Sequence, residues 1–198
     1  MQLTTRQQAI IIGTLLGDGC LERRDNHVRL RIDHGVDQRQ YVGWKYANLK
    51  NISRALPHTA TYFHEKHGKT YTNVRFSTLA HPELNGFWKD FYPHGRKIIP
   101  KNLQRLLQHP LSLAVWFMDD GYKRNDCNAF RLNTDMFRKH DQLRLVKILR
   151  ENFSLESTLH KKGNYWNVYI PSASAKKFAD IVRPYILPSF KYKIALAP

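Results

Sequence analysis

The sequence is short of the features that mark several large protein classes. It has two cysteines, Cys20 and Cys127, and neither stands in a CxxC or CxxH arrangement. That argues against a disulfide framework and a zinc site, and it fits a reducing compartment. No apolar run reaches the roughly 18 residues of a membrane-spanning helix. Met1 to Gln8 has neither the apolar core of a secretory signal nor the Arg/Ser-rich amphipathic pattern of an organellar leader. The expected location is therefore where the chain is made, in the cytoplasm or in an organelle, with no membrane contact and no secretion. There is no Gly/Ser-rich linker. Acid is scarce beside base: 16 Asp+Glu stand against 32 Lys+Arg, a formal net charge of +16. The basic residues run along the whole chain, and 42% of residues are hydrophobic, so the excess belongs to a folded body rather than to a basic tail. Such a body points to a polyanion, nucleic acid before a ribosomal or membrane-surface role.

The sequence reads twice. An apolar run, Ile11-Ile12-Gly13-Thr14-Leu15-Leu16, leads into Gly17-Asp18-Gly19. A second, Leu113-Ala114-Val115-Trp116-Phe117-Met118, leads into Asp119-Asp120-Gly121, 102 residues further on from Gly19 to Gly121. Each reads as a buried helix that stops at glycine, the usual left-handed C-terminal cap. Thr4 or Thr5 is the expected N-cap of the first, and Pro110 opens the second in its first turn. Hairpins follow, turning at Asp25-Asn26 and near Asn125-Asp126. Next come helical stretches 38–55 and 138–153, then hairpins turning at His67-Gly68-Lys69 and Lys162-Gly163-Asn164. Helices over 82–91 and 172–186 and basic-aliphatic ends at Lys97 and Lys193 complete each unit. The pattern is αββαββα twice, over residues 1–100 and 101–198, an α+β fold in one compact monomer.

A helix C-terminus carries negative partial charge, and a carboxylate there is unfavourable by roughly 0.3–1 kcal/mol. Asp18, Asp119 and Asp120 all fall at such ends. Three acids at two helix ends of a basic protein call for a hard divalent cation, and carboxylates with free carbonyls suit Mg²⁺. One Asp-Gly is usually only a turn. Two in register with a whole repeat point to a site. Gly13 and Gly17, four apart, make a bare stripe for close approach of the other motif helix. Pairing about a pseudo-twofold axis would set Asp18 beside Asp120, one acid for each of two phosphodiesters.

The strands alternate. Val28, Leu30 and Ile32 oppose His27, Arg29, Arg31 and Asp33. Val74 and Phe76 oppose Asn73, Arg75 and Ser77. Phe130 and Leu132 oppose Arg131 and Asn133. Trp166, Val168 and Ile170 oppose Tyr165, Asn167 and Tyr169. An antiparallel sheet ordinarily shows one such face to water. Here that face offers Arg and Asn, which read guanine and adenine in the major groove. The four hairpins read as a curved saddle over DNA. Base-reading candidates are Arg29, Arg31, Asn73, Arg75, Ser77, Arg131, Tyr165, Asn167 and Tyr169. Lys66, Lys69, Lys161 and Lys162, near hairpin turns, are candidates for phosphate.

These two motifs and the order of elements resemble the LAGLIDADG homing endonucleases, in their single-chain, two-motif, intron-encoded form. The resemblance covers almost the whole chain. It implies a sequence-specific endonuclease that cuts both strands of a long, pseudo-palindromic or asymmetric DNA target with Mg²⁺, with Mn²⁺ able to substitute and Ca²⁺ binding without supporting cleavage. It implies metal ligation by the Asp18 and Asp120 carboxylates and by the Gly17 and Asp119 carbonyls, the Asp119 side chain having no metal role. Lys97 and Lys193 would be active-site lysines, and Asp33 and Asn133 would order solvent. Leu16, where many members carry a further acid, and Val115, where many have a small residue, depart from the pattern. An RNA-binding maturase acting on its own intron RNA is the first alternative, disfavoured by the intact Asp18 and Asp120. A cleavage-inactive DNA-binding regulator is the second, disfavoured because no helix-turn-helix is appended. An intein is not expected, since no splicing domain is visible.

Overall fold

The computed structural model describes residues 2–196. Helix α1 (Thr5–Leu16) starts at a capping box in which Thr4 Oγ1 accepts from the Gln7 N–H while the Gln7 side chain accepts from the Thr4 N–H. Strands β1 (Cys20–Arg24) and β2 (His27–Gly35) form the first hairpin, with Asp25 at φ 54° in its turn. Helix α2 (Arg39–Leu49) leads to the hairpin β3 (His58–His64) and β4 (Lys69–Ser77), turned by Gly68 at φ 57°. Helix α3 (Pro82–Phe91) closes the first unit. A short helix α4 (Leu103–Leu106) joins it to the second. There α5 (Pro110–Asp120) opens on Pro110 at its first turn, followed by β5 (Gly121–Lys123), β6 (Phe130–Leu132), α6 (Lys139–Phe153), β7 (Thr158–Lys162), β8 (Tyr165–Ile170) and α7 (Ser172–Val182).

The two sheets have the same order, β1-β2-β4-β3 and β5-β6-β8-β7. Their registers make them superimposable: Cys20 faces Arg31 and Ile32 faces Phe76 in one, Tyr122 faces Arg131 and Leu132 faces Val168 in the other. With Asp18 matched to Asp120, Asp33 is then equivalent to Asn133, His34 to Thr134 and Arg75 to Asn167. The buried positions of α2 (Tyr41, Val42, Lys45, Leu49) recur in α6 as Asp141, Gln142, Leu145 and Leu149.

Apolar strand faces and helix stripes from both units join one hydrophobic cluster, with α1 and α5 at its centre. The glycines at this crossing explain how close it is. A Cβ on Gly13 would stand 2.4 Å from the Ser112 carbonyl oxygen, and one on Gly17 would stand 2.5 Å from the Asp119 Cβ. The bare stripe read from the sequence is thus the contact surface. The left-handed caps expected at Gly19 and Gly121 are not there: the glycines with positive φ are Gly68, Gly95 and Gly163. What excludes a side chain at Gly121 is space, since a Cβ would meet the Phe117 ring at 2.0 Å.

Candidate active site at the paired helix ends

Because α5 crosses α1 over Gly13 and Gly17, the C-terminal ends of the two helices arrive together. The Asp18 N–H donates to Asp119 Oδ2 at 3.3 Å, bridging the two motifs directly. The Asp18 side chain is 42% exposed. Burial, and then the neighbouring Asp119 carboxylate, push its carboxyl above the ordinary range. Burial, then Asp18 and Asp119, push the Asp120 carboxyl further, to about 7. Both stay high although Lys97 and Lys193 act to lower them. Ionising both acids here is therefore disfavoured, by burial first and by their mutual repulsion second, and a hard divalent cation, which carboxylate oxygens suit, would relieve both. One ligand atom each from Asp18, His34 and Asp119 lie within 4.8 Å of one another.

Lys97 and Lys193, at the ends of the two units, both reach this place. Lys97 Nζ donates to the carbonyls of Gly17 at 2.8 Å and Gly19 at 2.7 Å. Lys193 Nζ donates to the Met118 carbonyl at 2.8 Å. Partial burial pushes both lysines below their ordinary range, while the three aspartates act to raise them. Each ammonium lies against the negative partial charge that a helix C-terminus presents.

Four sequence expectations need correction or restatement. Asp119 was expected to contribute no more than its carbonyl. Its carboxylate is instead wholly buried and bonded: Lys45 Nζ donates at 2.8 and 3.1 Å, and the Tyr41 hydroxyl at 2.6 Å. Asp119 lies on the flank of α5 that meets α2, so its side chain points into the protein. The Gly17 carbonyl, expected as a metal ligand, accepts from Lys97. Asp33 spends its carboxylate on Arg31 (2.7 Å), Asn73 (2.8 Å) and Arg75 (3.4 Å), and the amide of Asn133 lies 2.9 Å from Asp135 and 3.0 Å from Asn167. These bonds lie along the sheets, not to the paired acids. Asn167 is fully buried, its Oδ1 accepting from the Thr134 N–H at 3.0 Å. The turn after β6 covers it, so it has no access to a base.

The remaining candidates stay on the surface. Arg29 is exposed, and Arg31, Asn73, Arg75, Ser77 and Arg131 are half-buried. Glu22 on β1 holds Arg29 at 2.7 Å and Arg31 at 3.2 Å, a second acid on this face beside Asp33. Tyr165 is exposed, while Tyr169 stacks on His160 at 3.7 Å. Lys66, Lys69, Lys161 and Lys162 are exposed on the hairpins.

Sequence reading missed His34 and Lys45. His34 Nδ1 lies 3.5 Å from Asp18 Oδ2, and burial and the nearby Lys45 hold the imidazole down at about 4. Lys45 looks in the sequence like one basic residue among 32. The signal that marks it is position: with Tyr41, Val42 and Leu49 it falls on the apolar stripe of α2.

A family model described as the LAGLIDADG DNA endonuclease family matches residues 8–178. The chain belongs to the LAGLIDADG DNA endonuclease family. It is 30% identical to the DNA endonuclease I-ChuI of Chlamydomonas applanata, over 98% of this chain and 97% of that one. It is also 30% identical to the cytochrome b mRNA maturase bI2 of Debaryomyces hansenii, over 93% of this chain and 72% of that one. The homing endonuclease I-WcaI, solved bound to its DNA recognition sequence, superimposes with a TM-score of 0.92 at 25% identity, over 100% of this chain and 89% of that one. The α+β fold with paired motif helices, read from the repeats, is borne out.

Proposed function

We propose that this chain is a Mg²⁺-dependent homing endonuclease that binds a long double-stranded DNA site as a monomer and hydrolyses one phosphodiester in each strand. The observation that carries the reading is the meeting of two helix C-termini, where Asp18 and Asp120 hold carboxyls raised by burial and by neighbouring acids. Those two carboxylates would hold the metal, with the Asp119 carbonyl as a supplementary oxygen, the Gly17 carbonyl being taken by Lys97. A divalent ion bound there would activate water and stabilise charge on the phosphate. Lys97 and Lys193 sit where they can offset negative charge building on a phosphate. The basic sheet faces hold the DNA over the site. Mn²⁺ would substitute, and Ca²⁺ would bind without cleavage. The place of work would be the compartment that encodes its host intron; among the described residues no helix is long and apolar enough to cross a membrane.

The test is incubation with a library of DNA targets and Mg²⁺, followed by sequencing of the cut ends. Asp18→Asn and Asp120→Asn should each abolish double-strand cleavage and leave specific binding nearly intact, since affinity comes mainly from phosphate and base contacts. Full cleavage by either variant would sink the assignment of one acid to each repeat. A dimer mass on a single DNA site would contradict the monomer. The maturase reading has the Debaryomyces hansenii relative in its favour. It would be preferred if the chain bound intron RNA tightly and cut no member of the DNA library.

A further inference from the structure

Around Asp18 runs a loop of polar contacts, three hydrogen-bonded links closed by a 3.5 Å approach of His34 to its carboxylate, that has no counterpart around Asp120. His34 Nε2 lies 3.3 Å from Lys45 Nζ. An ammonium has only protons to give, so Nε2 accepts and the ring proton sits on Nδ1. That atom faces Asp18 Oδ2 at 3.5 Å. Lys45 also donates to both oxygens of Asp119, and Asp119 Oδ2 accepts the backbone N–H of Asp18. Asp119 thus holds Asp18 twice, at its main chain directly and at its carboxylate through Lys45 and His34. The side chains of His34, Lys45 and Asp119 are 2%, 0% and 0% exposed, so the links among these three are closed to water, while the two that end on Asp18 lie at the open edge of the site. Tyr41 anchors the other side of Asp119.

Across the pseudo-twofold axis every member is different. Thr134 stands for His34, and its hydroxyl turns inward to Gln142 Oε1 at 2.8 Å. Leu145 stands for Lys45 and Gly17 for Asp119. None of these three residues has a ring nitrogen, an ammonium or a carboxylate with which to repeat the arrangement on the Asp120 side. Resting on the endonuclease reading above, we propose that His34 is a positioning residue that fixes the Asp18 carboxylate through Lys45 and Asp119, so that cleavage of the strand served by Asp18 depends on His34 and cleavage of the strand served by Asp120 does not.

The experiment follows each strand separately on an end-labelled target in Mg²⁺, and follows the His34 ring by ¹⁵N NMR in the metal-free protein. His34→Ala should slow one strand roughly ten- to hundredfold, as a misplaced reacting group does, and the other by no more than about threefold, so that nicked DNA accumulates. His34→Asn puts an amide N–H where Nδ1 was and should recover most of the loss. His34→Gln puts it where Nε2 was and should not. If the alanine variant fails to fold, the Asn and Gln pair decides. The ring signals should show Nδ1 protonated and Nε2 bare. Equal slowing of both strands, no slowing, equal rescue by Gln and Asn, or a proton on Nε2 would each overturn the proposal. Failure of the wild-type chain to cut either strand would instead remove the endonuclease reading and leave the ring signals to decide the loop of bonds.

Discussion

The two halves of this molecule share a backbone and differ in what they bury. The first half places a lysine and a histidine in its core, at Lys45 and His34. The second places Leu145 and Thr134 at the same positions, and Thr134 closes its own bonds with Gln142. On the sheet faces the cross-strand pair Asp33–Arg75 becomes Asn133–Asn167, charge replaced by amide. Strand register and helix stripes are thus held in common, while side chains at matched positions diverge. The repeat gives two acids a common meeting place. It does not make the surroundings of those acids alike, and the electrostatic cost falls on a buried pair that spans the halves, Lys45 of the first and Asp119 of the second. A buried ion pair adds little net stability, but losing one partner strands the other.

That contrast is most sharply broken at Asp119 and Lys45. Lys45→Met or Asp119→Asn alone should cost about 3–5 kcal/mol, because either leaves a buried charge without its partner. The double variant should recover a large share of that loss, giving a coupling that a denaturant double-mutant cycle reads directly. Losses that simply add would mean the two charges do not depend on each other. Leu145→Ala in the second half should behave as an ordinary cavity, about 2–5 kcal/mol with no charged partner to rescue it.

Much of this architecture is legible in the sequence because it rests on local chemistry. Thr4 with Gln7, Pro110, the Asp25-Asn26 turn and Gly68 each fix an end or a reversal through neighbours a few residues away. Asp18 and Asp120 stand out because two apolar helices end in the same dipeptide. Asp119 was misread because its role depends on which flank of α5 meets α2, a fact of helix crossing rather than of spacing. Asn167 was misread for a similar reason. Strand alternation assigns it to the open face, but β6 ends at Leu132 and the following turn covers that face. His34 and Lys45 are 11 residues apart on different elements, and no sequence period links them.

The sheet faces offer the next comparison. Arg31 and Arg75 lie half-open on the first sheet, while the position of Arg75 is closed in the second by Asn167. Arg31→Ala should cost roughly 1–3 kcal/mol of binding and relax preference at one or two base pairs. Asn167→Ala should leave base preference unchanged and lower the melting temperature instead. Cleavage profiles over every single-base variant of the target separate the two outcomes. Position-specific relaxation in Asn167→Ala would show that this side chain reaches the DNA after all.

A smaller effect is expected in α2. Gly43 has no atom within 4 Å of where a Cβ would be, and the equivalent position of α6 is the exposed Leu143. Gly43→Ala should therefore stabilise the first half by about 0.5–1 kcal/mol, the helix penalty of glycine. Gly13→Ala should do the opposite by about 1–3 kcal/mol, since its Cβ runs into α5. Thermal melts of both variants check the signs. A stabilising Gly13→Ala would mean that α1 and α5 need not approach so closely.

The hairpin arms give the finest contrast. Strands β3 and β4 have 7 and 9 residues, against 5 and 6 in β7 and β8. Tyr62, Phe63 and Tyr71 are exposed along the longer arm, so it projects beyond the body with little core beneath it. Counted from the matched positions Arg75 and Asn167, both strands of the longer arm run four residues further toward the turn, which at about 3.3 Å per residue extends the reach by about 13 Å, or roughly four base pairs. The first half should therefore protect about four more base pairs on its side of the cut than the second half does on the other. Lys66 and Lys69 lie at that arm's turn, Lys161 and Lys162 at or near the shorter one's. Each lysine replaced by alanine should lower the slope of log affinity against log salt by about 0.9, equally for all target sequences. Replacing Lys66 and Lys69 should also shorten the footprint on the longer side, whereas replacing Lys161 and Lys162 should not reach that edge. Hydroxyl-radical footprints of the two double variants make the comparison. Equal protection on both sides of the cut would mean that the longer arm leaves the DNA before its tip, and its exposed aromatics would then face solvent rather than the groove.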